Sequence, residues 1–358
     1  NYMPKLESNS YFNIHTNDRA PSHVLKRTSH GTYDESDCIK MTQYMLPGLV
    51  SDRFMSDVFS HTEETRTKIT QMGENIRDTL AEMIHESDWI DTISKRHLVA
   101  KVRNIIVRAI HPNIWKPEPF GHRLVADRYL HNLNIIRRFR VRQNLVLWRK
   151  DGFNRDEVAR FGAPLSTVNA FYSPITNTIT IFAGILRKPF YDEKSDMASI
   201  YASIGSVIGH ECTHSIDSSG VRFDAYCSFR RLHDGWLMPE TQARFHDKLK
   251  CVVDEYNVVD LNLQCANVPT NYGVQTLGED VADIIGVRAA YKTWLKLAPP
   301  EQVTNSSKQW FWVTFAQMWC SHYSQKYICN RLNGDEHALS LFRVDNTLRN
   351  IVEFKDDY

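Results

Sequence analysis

The residues with the clearest chemical potential lie in one stretch, Val207-Ile208-Gly209-His210-Glu211-Cys212-Thr213-His214-Ser215-Ile216-Asp217. His210 and His214 are four apart. On an α-helix that spacing stacks both imidazoles on one face, one turn apart. Two rings so placed can share a Zn²⁺ ion at ~2.0–2.1 Å each. Glu211, beside the first ring, can then take a proton from a water at the metal. A solvated helix with two surface histidines would show the same spacing. The preceding run Ile200-Tyr-Ala-Ser-Ile-Gly-Ser-Val-Ile-Gly209 is apolar and small on most sides, which predicts a buried helix. Buried imidazoles need partners, and a shared metal supplies one.

A catalytic zinc takes three protein ligands and leaves a position for water. The best source of the third is Gly278-Glu279-Asp280-Val281-Ala282-Asp283. Glu279 and Asp283 are one helical turn apart and share a face, so Glu279 can bind the ion. Asp283 can hydrogen-bond the second nitrogen of a ligand histidine and orient it. Glu279 also completes Thr276-x-x-Glu279, a capping box that merely closes a helix start. Spacing alone leaves both readings open.

The elements that must carry these groups are mostly helical. Residues 1–47 are polar, broken by Pro4, Pro21, Gly31 and Pro47, and read as an irregular upstream segment. Residues 48–165 read as a helical region. Phe54, Val58, Ile69, Met72, Ile76, Leu80 and Met83 recur at helical steps over 48–85. Ser87 and Asp88 can cap a second helix that runs through Ile105 and Ile106 and stops before Pro112. A third spans about 124–147, and its Arg137, Arg138, Arg140 and Arg142 read as a solvated basic face. Residues 166–358 read as the catalytic region. Val168–Tyr172 and Thr178–Phe182 are β-rich and predict two short strands joined by a turn. The motif helix is expected over about 195–216. Further helices are expected after Pro239, from Thr276 to about Leu297, and over Trp310–Cys320 as a core helix. The fold class is therefore mainly α (α+β), with one small sheet beside the motif helix.

Composition narrows the class. The 358-residue chain is 42% hydrophobic and 24% charged, with a net charge of +1. This balance argues against nucleic acid as a partner. No run of ~18 apolar residues is present. The first residues, Asn1-Tyr-Met-Pro-Lys, read as neither a signal peptide nor an initiator start, so the chain is expected to continue upstream. The seven cysteines contain no C-x-x-C pair, which argues against a structural zinc knuckle. Asn305-Ser306-Ser307 is a possible glycosylation sequon.

Taken together, these residues resemble the neprilysin and endothelin-converting-enzyme family of zinc metalloendopeptidases, in its C-terminal, catalytic half. The pieces are Val168-Asn-Ala-Phe-Tyr172, Phe182-Ala-Gly-Ile-Leu186, Val207–His214 with Asp217, Leu277–Asp283, Phe315-Ala-Gln-Met-Trp-Cys320, and His337 followed by Phe342-Arg-Val344. They occur in order. The resemblance implies a thermolysin-like zincin fold with one Zn²⁺ held by His210, His214 and Glu279. It makes Glu211 the general base, and Asp217 and Asp283 carboxylates behind the ligands. It makes Asn169 and Ala170 the strand edge that pairs with peptide substrates, as an open edge beside a metal can. His337 then stabilises the oxyanion and Arg343 holds the substrate carbonyl beyond the cut. Ile185, Phe190, Val207 and Trp319 would wall the pocket for the residue after the scissile bond.

The implied activity is cleavage of short peptides on the amino side of large apolar residues. Release of dipeptides is a variant in which Arg343 takes a terminal carboxylate. A silent relative that serves as a binding or structural subunit is the alternative. The family's setting is extracellular, secreted or as the ectodomain of a membrane protein. Cys38, Cys251 and Cys320 match family cysteines whose disulfide partners lie outside this chain, together with the upstream lobe. Two departures stand out. Ser218-Ser219 follow Asp217 where the family usually has another acidic residue, and Cys212 fills a variable position between the ligands, as a small buried filler or a redox-sensitive thiol.

Overall fold

The computed structural model describes residues 35–58, 62–110, 119–148, 163–231, 236–257, 265 and 271–358. The expectation for residues 1–34 lies outside the described residues. The chain forms two compact units, 1–62 with 111–167, and 63–110 with 168–358.

In the first unit, residues expected to be irregular form α1 (Glu35–Met45), and Pro47 opens α2 (Pro47–Asp57). Proline fixes φ and lacks a donor, so it ends one helix and fits the first turn of the next. The third member, α5 (Tyr129–Trp148), starts later than the sequence suggested, because Gly121–Arg123 forms a separate 3₁₀ turn. Arg140 donates to the Tyr44 and Met45 carbonyls and lies over the Tyr44 ring. It therefore closes the end of α1, while Arg137, Arg138 and Arg142 are exposed as expected of a solvated face.

The second unit contains the motif. Its first helix, α3 (Thr62–Glu86), buries Ile69, Ile76 and Leu80. The next, α4 (Thr92–Arg103), is capped by Asp91 rather than by Ser87 or Asp88. Asp91 Oδ1 accepts from the amides of Ile93 and Ser94, and its Oδ2 accepts from Thr241 Oγ1. That helix stops at Arg103, short of the expected Ile106. The run Ile105-Ile-Val-Arg-Ala-Ile110 is β-branched and instead supplies a strand, β1 (Ile106–Ala109).

β1 pairs in parallel with β3 (Thr178–Ile181), and β3 pairs antiparallel with β2 (Ala170–Ser173), giving the order β1-β3-β2. This pairing brings residues 63–110 into the same unit as 168–358. Asn177 closes the β2–β3 turn with φ 48°, accepts from the Tyr172 hydroxyl, and donates to the Lys101 carbonyl. β3 is buried along its whole length, and β2 is one of the two edge strands.

The motif helix begins as α6 (Met197–Ile200), passes through a π-helical turn (Tyr201–Gly205), and continues as α7 (Ser206–Thr213). Ile204, Ile208 and Cys212 are fully buried, in line with the predicted buried helix. After α8 (Pro239–Tyr256), the second motif lies on α9 (Tyr272–Leu297). This helix starts one turn before Thr276. Thr276 is therefore interior, and its hydroxyl bonds the Tyr272 carbonyl and Asp280 Oδ2. The capping-box reading of Thr276-x-x-Glu279 is thereby overturned.

α7 and α9 cross at two glycines. A Cβ on Gly209 would collide with the Gly286 backbone, and one on Gly286 would collide with the His210 amide. The rest of the unit supports this crossing. α10 (Asn305–Met318) buries Phe311, Trp312 and Phe315, with Tyr291 and Trp294 of α9 stacked against them. Trp310, expected in that core, is 45% exposed and donates to Ser199. Next come α11 (Gln325–Gly334), α12 (Ser340–Arg349) and α13 (Val352–Asp357). No described helix is long and apolar enough to cross a membrane.

Two outcomes are expected. Gly286→Val should lower the unfolding free energy by about 2 kcal/mol or more, read from urea melts, because the added carbons cannot be accommodated without separating two backbones. Asp91→Ala should cost about 1 kcal/mol at neutral pH. Burial favours the protonated Asp91, but hydrogen bonds from Ser94, Thr241 and Ile93 outweigh it and hold the carboxyl below the usual range. The contribution is thus present above the unfolded value of ~3.9 and lost as pH falls through the lowered folded value, so the two melts should converge in acid.

Candidate metal centre

Helix α7 presents His210 and His214 on one face, with Nε2 atoms 3.0 Å apart and rings nearly perpendicular at 89°. Helix α9 brings Glu279 to the same point. Its Oε2 lies 3.0 Å from His210 Nε2 and 3.5 Å from His214 Nε2. Three donors bound ~2.0–2.1 Å from one tetrahedral ion would lie about 3.3 Å apart, so the triangle has the right size. Glu279 Oε2 is fully buried, yet none of these nitrogens meets it in hydrogen-bond geometry. A buried acceptor so placed suits a cation. The donor set of two imidazoles and one carboxylate is that of an open zinc site.

Carboxylates hold the other side of each ring. Asp283 Oδ1 is 2.7 Å from His210 Nδ1, and Asp217 Oδ2 is 2.7 Å from His214 Nδ1. Both fix Nδ1 as the protonated nitrogen and leave the Nε2 lone pair for a metal. Burial lowers the basicity of both rings. At His210 the Asp283 charge outweighs it, and at His214 Glu279 and Asp217 do so strongly, so both stand above the ordinary histidine value. Asp217 is itself held by the Ser219 and Gly220 amides on Oδ1.

Arg343, on α12, donates from Nε and Nη2 to the two oxygens of Asp283, each at 2.7 Å. Burial favours the neutral acid at Asp283, but Arg343 and His210 prevail and hold it at about 2. The guanidinium also lies 3.8 Å over the Trp319 ring. Neighbouring Asp280 is 0% exposed, and burial pushes it up to about 9. It is neutral at pH 7 and adds no charge beside Glu279.

His337 sits on the loop before α12, with Nε2 3.2 Å from Glu279 Oε2. His210, Glu279 and His337 form a cluster whose ligand atoms lie within 4.8 Å of one another. Asp335 orients His337 by accepting from its backbone amide and pairing with Nδ1. Asp335 is not among the residues expected from the sequence, although the Asp-x-His spacing is visible there. Glu211 is 6% exposed and its carboxylate takes no hydrogen bond from a described residue.

The remaining expected residues surround this centre less closely. Asn169 is exposed just before β2 and its carbonyl accepts from the Phe182 amide, while Ala170 is buried at the strand start. Ile185 is buried in the turn after β3, Phe190 is half-buried beyond it, and Val207 is half-buried on α7. Of the four expected pocket residues, only Trp319 has a ring contact to the centre's own side chains among the described residues. Cys212 is wholly buried, and burial with the nearby Glu211 charge pushes its thiol up to about 12. It is a packing residue with no thiolate chemistry at neutral pH.

A sequence profile of peptidase family M13 matches residues 169–358, and a second M13 profile matches residues 9–112. The chain belongs to peptidase family M13. Among M13 relatives it is 30% identical to endothelin-converting enzyme 1 of Rattus norvegicus, over 90% of this chain and 42% of that protein. It is 29% identical to the endothelin-converting enzyme homolog of Locusta migratoria, over 90% of this chain and 44% of the relative. The chain thus spans less than half the length of these M13 relatives. The fold matches zinc metalloprotease Zmp1 of Mycobacterium tuberculosis in complex with an inhibitor, with a TM-score of 0.75, 23% identity, and coverage of 92% of this chain and 50% of that one. It also matches the Haemonchus galactose-containing glycoprotein complex, with a TM-score of 0.69, 25% identity, and coverage of 90% and 52%. The mainly helical zincin-like fold is therefore that of M13 metallopeptidases.

Asp283→Asn should weaken zinc binding about tenfold or more, measured by competition with a chromophoric chelator, because it loosens the His210 ring and leaves the Arg343 charge without its anion.

Proposed function

We propose that this chain is the catalytic portion of a zinc-dependent endopeptidase that cuts short peptides on the amino side of large apolar residues. The observation that carries the reading is the convergence of His210, His214 and Glu279 from two helices, with Glu211 alongside and a carboxylate behind each imidazole. A silent binding subunit has no chemical need for that whole set.

His210, His214 and Glu279 would hold one zinc ion, which when bound supplies Lewis-acid polarisation of the scissile carbonyl and the attacking water. Glu211 takes a proton from that water as its oxygen bonds the carbonyl carbon. Glu211 then hands the proton to the amide nitrogen as the C–N bond breaks, leaving a carboxylic acid and an amine, between which the remaining proton passes to give carboxylate and ammonium. His337 donates from Nε2 to the developing oxyanion, with Asp335 keeping the ring in place. Asn169 and Ala170 pair with the extended peptide main chain, which the edge position of β2 supports. Arg343 holds the carbonyl beyond the cut with the N–H groups not committed to Asp283. Its charge is already balanced by Asp283, which favours an internal carbonyl over a terminal carboxylate, and hence endopeptidase action over dipeptide release. Ile185, Phe190, Val207 and Trp319 supply the apolar wall for the residue after the cut.

An extracellular setting for the catalytic region accords with the Cys265–Cys329 disulfide, which clamps α11 to the segment before α9. Cys38, Cys251 and Cys320 are exposed thiols suited to disulfides with segments beyond this chain. Asn305 is exposed at the first turn of α10, where a glycan can project.

In the full-length protein, Glu211→Gln should keep zinc bound but lower turnover of a quenched Phe- or Leu-containing peptide by at least ~10²-fold. Unchanged turnover would remove Glu211 from the proton-transfer role. Absence of zinc from the unaltered protein would overturn the whole reading.

A further inference from the structure

Lys101 has no part in the chemistry above, yet it is 0% exposed. It projects from α4, and its ammonium donates to the Gly220 carbonyl. That carbonyl also accepts from the Phe223 amide. No carboxylate bonds the ammonium directly among the described residues. Burying such a cation costs several kcal/mol unless its surroundings compensate, and a methionine would fill the same space without that cost. A buried amine here therefore needs a reason beyond filling space.

The turn it grips supplies one. Residues 217–220 fold back tightly on the end of the motif helix, where a Cβ on Gly220 would collide with the His214 carbonyl. Within this turn the Ser219 and Gly220 amides, at 2.8 and 2.6 Å, bind Asp217 Oδ1. Asp217 Oδ2 then meets His214 Nδ1 at 2.7 Å. Lys101, Gly220, Asp217 and His214 form one continuous chain of bonds from a buried cation to a metal-facing imidazole. Lys101 is itself fixed from behind, since its carbonyl accepts from Asn177 at the β2–β3 turn. Burial pulls the amine down to about 7, and Asp217 is the group that most opposes the fall.

We propose that Lys101 is a positioning residue of the metal centre. Through the Gly220 carbonyl its ammonium fixes the turn that presents Asp217 to His214, and so sets how firmly His214 serves as a ligand. This inference rests on the metallopeptidase reading.

The test is zinc affinity in the full-length protein, by competition with a chromophoric chelator, in a double-mutant cycle with Asp217→Asn. Lys101→Met alone should weaken zinc binding about tenfold, the low end of what outer partners of a metal ligand contribute. In the Asp217→Asn background it should weaken binding by less than about twofold, since the chain of bonds is already cut. Urea melts in the presence of a chelator report folding separately. If Lys101→Met does not fold, Lys101→Leu, which likewise removes the donor, carries the same cycle. Unchanged zinc affinity with lowered stability would make Lys101 a purely structural residue and overturn the proposal. So would a full tenfold loss added on top of Asp217→Asn. Failure of the unaltered protein to bind zinc would instead strike the metallopeptidase reading itself.

Discussion

The contact on which the rest depends is the crossing of α7 and α9 at Gly209 and Gly286. With any side chain at either position the two backbones must move apart. His210 follows Gly209 directly, and Glu279 and Asp283 lie on the same helix as Gly286. The separation of the two helix axes therefore fixes the separation between the two imidazoles and the two carboxylates. The candidate donor atoms stand 3.0 to 3.5 Å apart because two missing Cβ atoms let the backbones meet. The π-helical turn lies just upstream of α7, and Tyr291 and Trp294 of α9 stack on Trp312 and Phe311 of α10, which buttresses the far end of α9.

Around this crossing the site is a sequence of alternating charges. Arg343 faces Asp283, Asp283 faces His210, and Glu279 lies between His210, His214 and His337. On the other side Asp217 backs His214. Asp217 and Asp283 each meet donors or a cation, which is the condition for keeping a buried carboxylate ionised away from water. Asp280 shows the converse. Among the described residues its carboxyl has only the Thr276 hydroxyl, and burial pushes it up to about 9. The centre thus carries its negative charge on the atoms that can face a metal and suppresses it one residue away.

Much of this was legible in order of sequence range. The i, i+4 pairs His210/His214 and Glu279/Asp283 are local, and helical periodicity alone places each pair on one face. The strands at Ala170–Ser173 and Thr178–Ile181 were also legible, because aromatic residues in the first and β-branched residues in the second flank a turn. The reading faltered where two local signals competed. Ile105 and Ile106 fit the end of a helix as well as the start of a strand, and only pairing with β3 decided for the strand. Thr276 fits a cap as well as an interior position, and only packing against α7 and α8 carried the helix back to Tyr272. Asp91 outcompeted Ser87 and Asp88 as a cap because Thr241, 150 residues away, bonds its second oxygen.

By itself the sequence determined the chemical inventory: which side chains can bind a metal, which can move a proton, and which helices carry them. These follow from covalent identity and the 3.6-residue period, both local properties. Tertiary structure alone decided that Glu279 meets the two histidines and that Cys265 pairs with Cys329 across 64 positions. It also decided that a lysine on α4 lies beneath the turn holding Asp217. Those facts depend on which surfaces are buried against each other, and no short-range pattern encodes a contact between residues a hundred positions apart.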